Sequence, residues 1–244
     1  MSRSIIGLSL VAPALATIFF LFLVPLGGAV TGAFQTEDGI GFGNFVKTFE
    51  LYRTDILFTV VIVLLSALLT AVLSIAVAGY LTLGSNPLAV AILRWLYRWP
   101  LFIPFIVVGQ VLRTFLAKNG LMNNLLVASG LVTPLHTFGL LDWRGIVIAF
   151  VWKQMPFVTL LLAGAMASID AGTIEAARNL GASRLRILVE IVLPQVASTL
   201  MVALTLSVVT MMSVLSVPLM IASQSPTMIT VDMALPRGAK TRPQ

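Results

Sequence analysis

The sequence predicts an all-α fold, a polytopic bundle of about five membrane-spanning helices, and three observations predict it. Hydrophobic residues fill 59% of the 244 positions and charged residues only 10%, with a mean hydropathy of +1.04, far from the composition of a chain with a solvated surface. Two runs, Ser4 to Thr36 and Ile56 to Leu93, carry no charged residue at all, and each exceeds what a soluble core element needs. Between such runs lie short polar connections rich in glycine, proline and asparagine. The net charge of +6 is scattered through these connections, with no long basic run, so phospholipid headgroups are the expected partner and nucleic acid is not. With no cysteine there is neither a disulfide framework nor a thiolate metal site.

The elements follow in order, within a single transmembrane domain covering 1–244. The first run is too long for a signal-peptide core and predicts an uncleaved span over about 8–30, with Pro13 and Pro25 near its ends. The second divides at Gly84-Ser85-Asn86-Pro87, a tight-turn signal, into a span over about 56–83 and the start of another over about 88–116. That third span carries Arg94 and Arg98 in its first turns and is expected to bend or break around Pro100 and Pro104. Asn119-Gly120 and Thr133-Pro134 flank a short apolar piece suited to the interface. Two further spans are expected over about 143–168 and 196–222.

Between those last two spans lies a polar stretch, Asp170 to Pro194. Ile174 to Leu180 predicts a short helix capped by Asp170 or Thr173, with Gly181 suited to the left-handed C-terminal conformation. Ser183 can cap a second helix. In it Leu185, Leu188, Val189 and Val192 share helical spacing, Arg184, Arg186 and Glu190 face away, and Pro194 is expected to end it.

The loop reads Glu175-Ala176-Ala177, three residues, Gly181, nine residues, then Ile191, one residue, Leu193-Pro194. This resembles the signature of inner-membrane permease subunits of binding-protein-dependent type I ABC importers. The similarity covers roughly Ile56 to Leu219, and its specific part is this loop. The resemblance implies that the first loop helix is a cytoplasmic coupling helix docking on a separate ATPase subunit through Glu175, Ala176, Ala177, Arg178, Gly181, Ala182 and Ser183. Ile191, Leu193 and Pro194 would then be structural. Small side chains allow close approach, and Glu175 offers charge-assisted bonds to a partner. The chain has no G-x-x-x-x-G-K-[ST] phosphate loop, so ATP and Mg are expected on a partner ATPase dimer and the chain itself is expected to be neither an enzyme nor a cofactor carrier. The resemblance further implies a second permease subunit, identical or not, an extracytoplasmic solute-binding protein, and a multi-pass place in a bacterial inner membrane.

Two other classes compete. An ion-coupled secondary transporter needs ionisable groups within its spans, and here only Lys153 lies well inside one, with Arg113 near the end of another. A membrane enzyme needs a catalytic constellation, and His136 is the only histidine. Lys153 has two readings, snorkelling to the nearer interface or lining the path, and Arg113 and Gln110 are the other candidates for the path. Arg178-Asn179-Leu180 before Gly181, Val111-Leu112-Arg113, Asn119 to Asn123 and Met155-Pro156-Phe157 resemble the group of polyamine, iron, sulfate and opine permeases, nearest to the spermidine/putrescine type. A pathway cation at Lys153 would instead favour an anionic or zwitterionic cargo. The stretch 223–244 is an atypical tail where such permeases carry a further span, and a truncated, non-functional permease is the alternative it raises.

Overall fold

The computed structural model describes residues 3–36, 39–222 and 226–235, with the side chains of the first helix described from Val11 onward. It divides into two compact units, Met1–Arg53 and Thr54–Gln244.

In the first unit, helix α1 (Arg3–Ile18) passes through a π-helical turn, Phe19–Leu23, into α2 (Val24–Phe34). The π turn ends two residues before Pro25: the last donor ahead of the proline, Val24 N–H, reaches back to the Phe19 carbonyl. Ladder hydrogen bonding thus shifts register where proline has none to give. A two-residue strand pair, β1 (Gln35–Thr36) with β2 (Gly39–Ile40), then reverses the chain. Asn44 Nδ2 donates to the Gln35 carbonyl at 2.7 Å and Phe34, Phe42 and Phe45 cluster beside it.

Helix α3 (Gly43–Leu83) has 41 residues, a rise of about 61 Å, roughly twice a bilayer's hydrocarbon core. Its charged residues, Lys47, Glu50, Arg53 and Asp55, lie in the first third, leaving Ile56 to Leu83 as the part suited to lipid. Asn86 caps α4 (Pro87–Leu96) by accepting from Leu88 and Ala89 N–H. A 3₁₀ turn, Trp99–Phe102, and α5 (Phe105–Leu116) follow. Across the Pro100 to Pro104 stretch the segment turns by 107°, so the third expected span is a broken one. Ile103 is extended because it precedes Pro104. The short apolar piece forms α6 (Leu121–Ala128), α7 (Trp143–Ala167) is the fourth span, and α8 (Ala171–Asn179) and α9 (Arg184–Ile187) make the loop. After them come α10 (Leu193–Ser213), α11 (Ser216–Ile221) and α12 (Ile229–Ala234).

Three expectations are corrected here. Pro194 does not end the second loop helix. A π turn, Leu188–Val192, in which Leu193 N–H bonds the Leu188 carbonyl, absorbs the proline, and the helix runs from Arg184 to Ser213 as one apolar element. The last span therefore lies over Arg184–Ser213 and not 196–222, because the chain leaves helical geometry at Val214 before α11. Part of the supposed tail is packed: Thr227, Met228, Val231 and Asp232 are buried. There Asp55 Oδ1 accepts from Thr227 N–H and Thr59 Oγ1 from Ile229 N–H, both at 2.9 Å. Residues 236–244 of that tail lie outside the described residues.

Among the described residues, four helices are long and apolar enough to cross a membrane, five if the bent pair counts as one span. Their outer faces present Val61, Leu64, Leu68, Val202 and Val209, all exposed, as a lipid solvent permits. Within the second unit two apolar clusters stack along α7. One gathers Ile62, Val108, Ile146, Phe150, Met211 and Val217, the other Ala78, Val158, Leu162, Ala177, Ile187 and Val196. A buried polar layer separates them: Ser66, Thr70 and Ser74 of α3, Lys153, Gln154 and Thr159 of α7, and Ser207 of α10.

Candidate functional site

The α8–α9 loop is held rigidly by local chemistry. Asp170 Oδ2 accepts from Thr173 N–H at 3.0 Å and caps α8, which decides between the two capping candidates. Gly181, at φ +81°, turns the chain where a side chain would be strained. Ala182 N–H bonds the Ala177 carbonyl and Gly181 N–H the Arg178 carbonyl, closing the C-terminus of α8. Ser183 Oγ accepts from Arg186 N–H. Gly79 of α3 provides the seat, for a Cβ there would lie 2.8 Å from the Leu188 side chain.

The loop's surface sorts the expected residues. Glu175, Ala176, Arg178, Gly181 and Ser183 are exposed and Ala182 is half-buried, but Ala177 is 9% exposed and belongs to the second apolar cluster. Of the alanine pair, then, only Ala176 is free for a close approach, while Ala177 fixes α8 to its own bundle. Leu180, 89% exposed, was missed by the sequence reading. The signal available was a large apolar residue beside a polar helix end, and such exposure marks contact surfaces. In the second helix Leu185 and Val189 point outward, whereas Ile187 and Val192 are buried and Leu188 and Ile191 half-buried. The expected apolar face is therefore wrong by a rotation, because the π turn breaks the 3.6-residue period on which it rested. Arg186 and Glu190 pair at 2.8 Å on the surface. Leu193 is half-buried and Pro194 exposed.

The three pathway candidates do not converge. Lys153 is 9% exposed. Its ammonium donates to the Pro100 carbonyl at 2.7 Å and the Leu101 carbonyl at 3.0 Å, and lies 5.4 Å from the Phe105 ring centre. The Pro100 carbonyl keeps one backbone donor, Ile103 N–H at 3.3 Å, but Pro104 has no N–H with which to continue the helical bonding across the break. In a bilayer such groups need internal partners. Lys153 thus neither snorkels nor faces an open path; it mends the broken span. Arg113 is exposed and lines an open cavity of about 430 Å³ with Asp142 and Trp143. Gln110 borders a separate cleft with Thr114 and Leu121.

A helical membrane bundle carrying a capped helix–glycine–helix projection is the class these features define. Residues 71–237 match the family of binding-protein-dependent transport system inner membrane components, and the chain belongs to that family. It is 31% identical over 214 residues to the sn-glycerol-3-phosphate transport system permease protein UgpA of Shigella flexneri, covering 77% of this chain and 66% of that protein. It is 28% identical over 185 residues to the spermidine/putrescine transport system permease protein PotB of Salmonella typhi, covering 72% and 63%. The chain thus spans about two thirds, or slightly less, of the length of these relatives. In fold it is similar to a chain of the bacterial alginate ABC transporter crystallised with an alginate pentasaccharide-bound periplasmic protein, with a TM-score of 0.78 at 23% identity, covering 94% of this chain and 80% of that one.

Proposed function

We propose that this chain is the permease subunit of an ATP-driven importer, and that α8 is the element through which a separate ATPase drives it. The observation that carries the reading is the rigid presentation of Glu175, Ala176 and Leu180 on a capped helix anchored by Ala177. A rigid projection can convey a partner's preference for one global state into the spans seated behind it. In this reading ATP and Mg bind the ATPase dimer, a second permease completes the path, and an extracytoplasmic binding protein delivers cargo at the end opposite α8, in a bacterial inner membrane. An ion-coupled secondary mechanism loses its main support because the intramembrane cation, Lys153, is engaged by backbone carbonyls.

The cargo is a small polar solute. Lys153, as a tie within the bundle, gives no reason against the polyamine suggested by the resemblance to PotB. Arg113 does: it makes no hydrogen bond or ion pair among the described residues, and it lies beyond the far end of α7, whose 25 residues rise about 37 Å from the α8 loop. An unpaired guanidinium at the delivery end favours an anionic or zwitterionic solute, as sn-glycerol 3-phosphate would be.

The chain reconstituted with its ATPase, second permease and binding protein provides the test. Glu175→Ala and Leu180→Glu are expected to lower ATP-driven uptake at least about tenfold, as loss of an interface anchor does, leaving the bundle's melting temperature unchanged. Uptake that survives both, or that proceeds without ATPase, would refute the reading. Competition between spermidine and sn-glycerol 3-phosphate for uptake decides the cargo's charge.

A further inference from the structure

Near the α8 end of the bundle, α3, α4 and α7 border a second cavity, open on one side, of about 330 Å³. Arg94, in the last turn of α4, and Arg98, in the turn that follows α4, both line it, as do Tyr97, Thr82, Ala163 and Gly164, and among the described residues no acidic one does. Arg94 makes no hydrogen bond or ion pair among the described residues. Arg98 is placed by Tyr97: its Nε donates to the phenolic oxygen at 3.3 Å, and its guanidinium carbon lies 5.6 Å from the ring centre. Tyr97 itself is 4% exposed, so this support is fixed. Accepting from Arg98 leaves the phenol O–H free to donate. The floor is open, since a Cβ on Gly164 would meet nothing within 4 Å.

Depth gives the cavity its meaning. Three residues separate the end of α3 from the start of α4, at the end where Arg178 reaches the Leu83 carbonyl at 3.5 Å. Two unneutralised guanidiniums a few turns into a span are costly against hydrocarbon. Phosphate oxygens at headgroup level would accept from both in bidentate fashion. From these residues we infer that the cavity binds a phosphate-bearing anion, held by Arg94, Arg98 and the Tyr97 hydroxyl, and that its source is the headgroup of an anionic phospholipid. The small floor residues leave room for the glycerol and the first acyl carbons beside Leu160. This inference rests on the chain spanning a bilayer and not on the coupling role of α8, so either can fail alone.

Binding of short-chain phosphatidylglycerol, phosphatidylcholine and inorganic phosphate to the purified full chain in neutral detergent tests it. Phosphatidylglycerol is expected to bind saturably and more tightly than phosphatidylcholine. R94Q and R98Q should each weaken it about fivefold, and together about twenty-five-fold. Gly164→Leu fills the floor without changing charge and fits the open space, so it keeps the fold; it should weaken lipid binding and spare that of phosphate. Arginine-dependent binding of inorganic phosphate with no binding of phosphatidylglycerol would assign the same site to a free anion. Equal binding of the two lipids, or a double variant that binds like the parent chain, would overturn the proposal.

Discussion

The segment from Pro100 to Pro104 and the head of α10 face the same deficit, a proline without an N–H inside a membrane helix, and they meet it in opposite ways. At Pro194, as at Pro25, a π turn precedes the proline and the helix continues. At the α4–α5 junction two prolines stand four residues apart, neither with an N–H to give, and the chain turns through 107°. A register shift suffices for a single missing donor. A doubled deficit needs a partner from elsewhere in the bundle, and here it is Lys153.

The sharpest way to break this contrast is Lys153→Met. It keeps much of the volume but leaves the Pro100 and Leu101 carbonyls without a charged donor, at a cost of about 3 kcal/mol. Thermal unfolding in detergent is the measurement. Pro104→Ala should recover about 1 kcal/mol of that loss by returning an N–H within reach of the Pro100 carbonyl, a coupling that a double-mutant cycle reads directly. If the two substitutions add without coupling, Lys153 is not mending the proline break.

Next in size is a comparison within α8. Ala177→Leu overpacks the cluster around Ile187 and Val196 and is expected to destabilise by about 2 kcal/mol. Ala176→Leu, on the exposed face, should leave the melting temperature alone and lower ATP-driven uptake. Equal melting temperatures would mean that the alanine pair is not divided between bundle and surface. Pro194→Ala is milder still in stability, within about 1 kcal/mol. Collapse of the π turn would rotate α8 and α9 by about 100° against α10, so uptake should fall severalfold in a folded protein. Unaltered uptake would show that the π turn does not set the loop's orientation.

What was legible in the sequence was local. Charge-free runs located the first two spans but not the bounds of the last, Asp170 and Gly181 bounded α8, and Pro100 with Pro104 announced the break. Illegible were features that depend on partners distant along the chain. Lys153 meets carbonyls 53 and 52 residues away, and Asp55 meets Thr227 across 172 residues, so neither periodicity nor composition could assign them. The outward turn of Leu185 and Val189 was hidden for another reason: a π turn leaves no distinct residue pattern, only the proline it precedes.

The smallest expected effect concerns the polar layer in which Lys153 sits. Thr70 Oγ1 is buried and makes no hydrogen bond among the described residues, while Lys153 in the same layer has two. Removing a buried hydroxyl without a partner also removes the penalty of having buried it, and valine keeps the shape of threonine. Thr70→Val should therefore stabilise the chain by about 0.5 kcal/mol, a small rise in melting temperature where Lys153→Met gives a large fall. A loss of stability in the valine variant would mean that the hydroxyl has a partner in the folded protein, and that the layer between the two apolar clusters is held together by more than the lysine and its carbonyls.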